Sequence, residues 1–413
     1  MKLRSVRGTH DLFGDEILKF NKIYSTVMKF SKLNSFNELQ TPIFEFSELF
    51  SKPLGEESDV VLKEMYTFSD RNKDLLTLRP EYTTPMIRAA ITNNLLNELP
   101  LKIFGIGPMF RRERPQKGRY RQFNQINFEI LGSNDFIADL ELIILANDIL
   151  KTLIPETEYV LNINTLGYRD DLFKYKEKLS KYFSQKITKL SEESKKRIYS
   201  NPLRILDSKQ ENDISISNNA PKIQDNISIE PKQHFEEIKK ELKNLNMDFN
   251  ENHNLVRGLD YYCSTVFEFK TANLGSQDTI LGGGRYDGLI KTLCGPDIPG
   301  IGWAAGIERI SILMKKTQYG ISKLHLAISD EKFKNHLLKI INYLKENHIS
   351  FYWNYKYNFK RSLSKANSDN AKYVIIIGER EFNEDFFTIK ELSTTKQTEL
   401  KISQIKNFIN DKS

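Results

Sequence analysis

Two apolar, strand-like runs, "LKIFGIGPMFR" and "RQFNQINFEILG", flank a short arginine-rich stretch, and no other feature restricts the fold as much. The stretch itself, "RRERPQKGRYRQF" (111–123), holds six basic residues and one glutamate, with Pro115 and Gly118 interrupting any regular element. Two such runs joined by a segment of this kind read as a long β-hairpin with a basic loop. In the second run Gln125, Asn127 and Glu129 alternate with Ile126, Phe128 and Ile130. Residues two apart on a strand share a face, so the polar set predicts either a wet sheet face or the floor of a polar pocket.

A solvated charged turn accounts for many basic runs. Two features point further. Gln116, Tyr120 and Gln122 are interleaved with the charges and can hydrogen-bond to or stack on bases. Arginine also outnumbers lysine here, and its planar fork suits bidentate phosphate contact.

The remaining sequence organises around this hairpin. At 413 residues the chain has room for two or three domains, each with its own core. A helical pattern runs from Ile17 to Leu33. "FNELQTPIFEFSELF" reads as a strand broken by Pro42, leading into a second amphipathic piece. "DLLTLRPEYTTPMIRAAIT" reads as a strand, a turn at Arg79 and Pro80, and a helix begun by Thr83, Thr84 and Pro85. From 166 to 250 the texture is lysine-rich and helix-prone; glycine then returns densely between Gly258 and Gly306. A helical module therefore splits the glycine-rich part from the hairpin. A further shift at 315–320 opens a last block, whose runs "KLHLAIS", "HISFYWNYK" and "AKYVIIIGE" alternate with helical segments, an α/β pattern with partly parallel strands.

The net charge of +7 favours a polyanionic partner without identifying one. Apolar runs such as "ELIILANDIL" are too short or too interrupted to cross a bilayer, and "MKLRSVRGTHDLFGDE" lacks the apolar core of a signal peptide, so a cytoplasmic location is expected. Cys263 and Cys294 have no histidine or cysteine at zinc-ligand spacing; free thiols and no protein-held metal are expected.

Several further motifs are ambiguous when taken singly. "GGGRYDG" (282–288) is no Walker sequence; it suits a tight turn or a close approach of backbone to a ligand. "GIGWAAGIERI" (300–310) sets Gly302 and Gly306 four apart, which on a helix gives one small-residue face for a packed strand or a flat ligand, beside Arg309. "LVRGLDYY" presents Arg257 and paired tyrosines, and "RPEYT" puts Glu81 at a helix entry, where a carboxylate commonly caps. His10 lacks an obvious partner and is given no role.

In order, these segments resemble a class II aminoacyl-tRNA synthetase, and more closely the bacterial-type histidyl-tRNA synthetase family. "ELQTPIFE" matches motif 1, "GPMFRRERPQKGRYRQFNQINFE" motif 2 and "GIGWAAGIERI" motif 3, while "LVRGLDYY" and "GGGRYDG" match the two stretches peculiar to the histidyl family. The resemblance implies an α+β fold: a six-stranded antiparallel catalytic sheet with helices (1–165 and 251–318), a helical insertion (166–250) and a C-terminal α/β anticodon-binding domain (319–413). It implies a homodimer formed through motif 1, ATP and histidine as substrates, magnesium accompanying the ATP, and tRNA(His) as acceptor.

The resemblance also distributes roles. Arg111 and Arg257 are the catalytic pair on the α-phosphate; Arg309 holds the γ-phosphate, with Arg114 assisting at the triphosphate. Glu81 and Gln125, with Tyr82 and Thr83, are assigned to the histidine amino end. Glu129 and Tyr262, supported by Tyr261 and Tyr286, are assigned to the imidazole. Gln116 and Arg121 are assigned to the tRNA acceptor end. Tyr82 stands where many family members carry glycine. Related chains also serve as regulatory subunits in histidine biosynthesis, but these typically lack the C-terminal domain and parts of the "RGLDYY" segment, both present here.

Overall fold

The computed structural model describes residues 3–55, 60–316 and 324–410. One compact unit reaches Lys316, and a second contains residues 324–410. The boundary expected at 318/319 lies outside the described residues.

In chain order the strands of the first unit are β1 (Asn37–Glu38), β2 (Phe44–Phe46), β3 (Tyr66–Ser69), β4 (Leu75–Leu78), β5 (Leu101–Phe110), β6 (Gln122–Leu131), β7 (Val160–Thr165), β8 (Phe249–Glu251), β9 (Cys263–Lys270), β10 (Thr279–Arg285) and β11 (Gly300–Gly306). The main sheet has the order β1-β5-β6-β11-β10-β9-β7-β8. Its six central strands, β5 to β7 in that order, are all antiparallel, as the resemblance implies. Two short strands, β1 and β8, add one at each edge in parallel pairing. The predicted hairpin is β5–β6, paired from Leu101 opposite Leu131 to Phe110 opposite Gln122.

Side-chain alternation gives the sheet two different faces. Ile126, Phe128 and Ile130 of β6 point into one core with Phe104, Ile301 and Trp303. Phe128 stacks on Phe104 at 5.3 Å and meets Trp303 at 4.8 Å. Burying side chains of this size stabilises the fold by about 1.5–3 kcal/mol each. The helix Asp15–Leu33 and the helix Phe136–Leu153, the latter capped by Asp135 accepting from the Ile137 amide at 2.9 Å, cover this face.

So does the helix Ile229–Asn244, through Phe235, Ile238 and Leu242. That corrects the reading of 166–250 as one helical texture: the helices from Arg169 to Ser217 pack in a second core, whereas Ile229–Asn244 and β8 belong to the sheet layer. Their lysine-rich composition hid this, because only one narrow stripe of the helix is apolar.

A second correction concerns "GIGWAAG", which forms β11 and not a helix; the helix begins only at Ile307. Spacing by four is compatible with both periods, and in a strand it still puts Gly302, Ala304 and Gly306 on one face. "GGGR" likewise lies within β10 and makes no tight turn.

β2, β4 and β3 form a separate three-stranded sheet beside the helix Glu48–Leu54. In the second unit, β12 (Leu324–Ile328) pairs in parallel with β13 (Tyr373–Ile377), followed by antiparallel β14 (Phe387–Glu391) and β15 (Gln397–Leu400). "HISFYWNYK" contributes only an isolated bridge between Tyr352 and His325 where a strand was expected.

Candidate active site

The face of the sheet opposite the helical core carries a cavity of about 330 Å³. Its floor is built from small residues, Gly282 of β10 and Ala304 and Gly306 of β11, beside the polar Gln125 and Asn127 of β6. Eight of the residues anticipated from sequence line it: Glu81, Thr83, Arg111, Gln125, Arg257, Tyr261, Tyr262 and Arg309.

One end is a dense hydrogen-bond network. The turn after β4 presents Glu81, whose Oε2 accepts from the Thr83 amide (2.8 Å) and whose Oε1 accepts from the Thr84 amide (2.9 Å) and hydroxyl. Glu81 thus caps the helix Thr83–Thr92 and faces the cavity at once. Behind it Glu129 is fully buried. Its Oε1 accepts from Thr83 Oγ1 (2.7 Å) and Asn127 Nδ2 (3.3 Å), and its Oε2 from the Tyr286 hydroxyl (2.7 Å). Burial pushes the Glu129 carboxyl up to about 8 against the opposing pull of those donors, and burial raises Glu81 as well. Tyr261 and Tyr262 lie with ring centroids 4.7 Å apart, and Tyr286 meets Tyr261 edge-on at 5.8 Å. Gln125 Oε1 and Asn127 Oδ1 are buried without a partner. Buried acceptors of this kind cost stability unless a ligand satisfies them.

The other end is cationic. Arg111 donates to the Pro80 carbonyl (2.8 Å) and stacks on Phe123. Arg309 donates to the carbonyls of Gly118 (3.2 Å) and Thr279 (2.7 Å). Burial, reinforced by Arg111, Arg119 and Arg257, lowers its guanidinium to about 10, a sign of how crowded with positive charge this wall is. Arg257 reaches in from the loop before β9.

Six anticipated residues are placed elsewhere. Tyr286 and Glu129 form the layer behind the cavity wall. Tyr82 is buried away from the cavity: its hydroxyl reaches the Leu39 carbonyl (3.4 Å), Arg79 lies over its ring, and Gly105 of β5 leaves room for it. A residue adjacent to Thr83 at a helix start points the opposite way, which the linear match could not show. Arg114 is exposed on the loop, outside the cavity; Arg119 faces inward in its place, paired with Glu113 and with Glu64 (3.4 Å). The loop turns back on itself at Gln116–Arg119, with Gly118 at φ +73°, and this reversal decides which arginine points in.

Gln116 sits exposed at the tip. Arg121 does not: its amide donates to the Gly8 carbonyl (2.7 Å), its Nε donates to the Glu113 carbonyl (3.1 Å), and a Cβ on Gly8 would strike its side chain. Sequence reasoning also missed Arg204, which the helical module contributes to the cavity. Among the described residues no group of three His, Cys, Asp or Glu side chains could hold a metal ion, and no helix is long and apolar enough to cross a membrane.

Residues 8–310 match the family described as histidyl-tRNA synthetase, and residues 315–412 match the anticodon binding domain. The chain is 43% identical to the histidine–tRNA ligase of Wolbachia pipientis wMel over 397 residues, 96% of this chain and 97% of that one. It is 43% identical to the histidine–tRNA ligase of Ehrlichia chaffeensis over 401 residues, 97% and 96% of the two chains. The crystal structure of apo S. aureus histidyl-tRNA synthetase superimposes with a TM-score of 0.80 at 28% identity, covering 98% of this chain and 99% of that one. An antiparallel sheet with a polar floor and an arginine wall, in one chain with an anticodon-binding domain, is the equipment of an aminoacyl-tRNA synthetase. The chain belongs to the histidyl-tRNA synthetase family.

Proposed function

We infer that this chain is a histidine–tRNA ligase, which joins histidine to ATP and then passes the histidyl group to tRNA(His). The observation that carries the residue-level reading is a single cavity with both chemistries: Glu81, Thr83, Gln125 and Tyr262 at one end, Arg111, Arg257 and Arg309 at the other.

In the first step a carboxylate oxygen of histidine attacks the α-phosphorus of ATP, and the bond from that phosphorus to the bridging oxygen breaks, releasing pyrophosphate. Charge grows on the non-bridging oxygens, and Arg111 and Arg257 stabilise it. Arg309 holds the γ-phosphate so that the leaving group departs in line. In the second step a hydroxyl of the terminal adenosine attacks the acyl carbon and AMP leaves. Both steps proceed by positioning and electrostatics, so no side-chain nucleophile is required.

Gln125 and Glu81 receive the α-amino group, which answers the unpartnered Gln125 Oε1. Tyr262 reads the imidazole from the cavity wall, and Glu129 backs that end of the pocket from the layer behind through Thr83 and Asn127; the neutral ring presents one donor and one acceptor to such polar partners. A pocket of this type rejects analogues lacking those groups by on the order of 10⁴–10⁵. Magnesium travels with the ATP as part of the substrate. Gln116, exposed at the loop tip, faces the acceptor end of the tRNA.

The active species is a homodimer in the cytoplasm. Phe44 and Phe46 after Pro42, with Phe68 on the same face of the small sheet, expose an apolar patch that supports self-association. The test of the reading is pyrophosphate exchange into ATP with each amino acid in turn. Histidine alone should support it; exchange driven equally by another amino acid, or by none, sinks the assignment.

A further inference from the structure

Arg257 comes from an irregular loop, yet its guanidinium has a well-defined seat on the sheet. It lies across β10 at Gly282, where a Cβ would stand 2.3 Å from Nη2. The cross-strand partner of Gly282 on β9 is Glu268. Its carboxylate therefore emerges beside that slot, with Oε2 3.4 Å from Arg257 Nη1. Glu268 is 5% exposed and does not line the cavity.

The carboxylate is held from the other side as well. Thr279 Oγ1 donates to Oε2 at 3.0 Å, and Lys270 Nζ lies 3.0 Å from Oε1 and 3.5 Å from Asp278. Arg257 Nε is buried without an acceptor, the Tyr262 ring lies 5.9 Å from the guanidinium, and Asp207 and Arg309 act on it through their charges. Glu268 thus decides where the guanidinium points.

We propose that Glu268 is a positioning residue for adenylate formation, holding the Arg257 guanidinium in the Gly282 slot at the phosphate end of the cavity. A carboxylate this close to a phosphate-binding arginine would ordinarily compete with the phosphate. Two features prevent that. The contact is long for a charge-assisted bond, so it sets direction and leaves other N–H groups available. Lys270 also pairs with the carboxylate, at 3.0 Å, so Arg257 is not the only cation that answers its charge. Thr279 extends the device: its hydroxyl steadies Glu268 while its carbonyl accepts from Arg309 Nη1. One residue thereby fixes the spacing of the two arginines assigned to opposite ends of the triphosphate.

This rests on the role given to Arg257 above, and a double-mutant cycle on the full-length chain separates the two. Histidine-dependent exchange is measured for wild type, Glu268→Ala, Arg257→Ala and the double variant. Glu268→Ala is expected to lower kcat on the order of 10²-fold, the effect of a misplaced catalytic contact. In the Arg257→Ala background the same change should cost less than about twofold, because the effect passes through Arg257. Glu268→Asp keeps the charge and shortens the reach; it should lose roughly tenfold, again only when Arg257 is present, and it decides the matter if the alanine variant does not fold. Equal losses in both backgrounds, or wild-type exchange in the Glu268 variants, overturn the proposal. Wild-type exchange in Arg257→Ala overturns the reading of Arg257 itself, and this inference with it.

Discussion

A Cβ on Gly302 would stand 1.5 Å from Oε2 of Glu129, so the buried carboxylate occupies the space that any other residue at this point of β11 would fill. The Phe128 carbonyl would be 2.7 Å away on the other side, and it is backbone that cannot swing clear. Gly302→Ala should therefore move Glu129 off Thr83 and Tyr286. Each hydrogen bond lost to this protonated carboxyl costs about 0.5–1.5 kcal/mol and two are lost, so kcat/KM for histidine in exchange should fall roughly 10- to 100-fold. Overpacking should also cost about 1–3 kcal/mol of stability, read from thermal unfolding.

The raised carboxyl of Glu129 makes stability depend on pH with a definite sign. Its folded value of about 8 lies above the ordinary 4.5, so between them the folded chain holds a proton that the unfolded chain has released. The stability this group contributes is complete below the ordinary value and is lost as pH rises through about 8. Glu129→Gln removes that dependence. Melting temperatures of wild type and variant, compared from pH 5 to 9, should shift in favour of the variant as pH rises; a constant difference would show that Glu129 titrates normally.

Arg309 shares its wall with Arg111, Arg119 and Arg257, and a polyphosphate bound there would relieve their mutual repulsion. ATP at 100 times its dissociation constant stabilises a folded protein by about 2.7 kcal/mol. Wild type should show the corresponding rise in melting temperature, and Arg309→Ala should lose more than half of it at the same ATP concentration. An undiminished shift in the variant would remove Arg309 from the triphosphate site.

The hairpin loop divides differently from its sequence. Gln116 is exposed at the tip, whereas Arg121 is tied to Gly8 and the Glu113 carbonyl at the base. Gln116→Ala should reduce aminoacylation of tRNA roughly tenfold, as expected for a lost acceptor-end contact worth 1–2 kcal/mol, and leave exchange intact. Arg121→Ala should lower both activities together, because loosening the base also displaces Arg111 and Arg119. Parallel loss in the Gln116 variant would place that residue at the ATP.

This contrast shows what the sequence could disclose. The alternation of Gln125, Asn127 and Glu129 with Ile126, Phe128 and Ile130 reports a face directly, since strand period and burial are both local. Loops carry no such period. Whether Arg114 or Arg119 faces the cavity depends on a reversal at Gly118 and on Glu64 and Glu113, residues far and near that no spacing rule connects. Gly302 and Gly306, four apart, satisfied a helix as well as a strand, and only pairing with β6 and β10 decides between them. The packing of Tyr82 and of the helix Ile229–Asn244 was illegible for a related reason: their burial is set by partners distant in the chain, Leu39 and Gly105 for the one, the sheet's helical layer for the other.

Beneath the sheet, Arg285 and Asp139 form an ion pair with almost no exposure, 2% and 0%. Arg285 Nε reaches Asp139 at 2.9 and 3.1 Å, its remaining N–H groups donate to the carbonyls of Ser133 and Asp135 (2.9 Å each), and His234 approaches Asp139 at 3.4 Å. Burial alone would raise the Asp139 carboxyl, but Arg285 and His234 outweigh it and hold it below its ordinary value. Its contribution is thus present above the ordinary carboxyl range and lost as pH falls through the depressed folded value. Asp139→Ala leaves the buried guanidinium with only the longer carboxylate contact, to Asp287 (3.8 Å), and should cost about 3–5 kcal/mol in denaturant unfolding near pH 7. Asp139→Leu combined with Arg285→Met removes both charges and should cost less than the single change. The next residue along the chain, Tyr286, donates to Glu129, so histidine-dependent exchange in the single variant should fall even at temperatures where it stays folded. A double variant less stable than Asp139→Ala would mean that the pair stabilises the fold by its own attraction and not merely by leaving no charge unpaired.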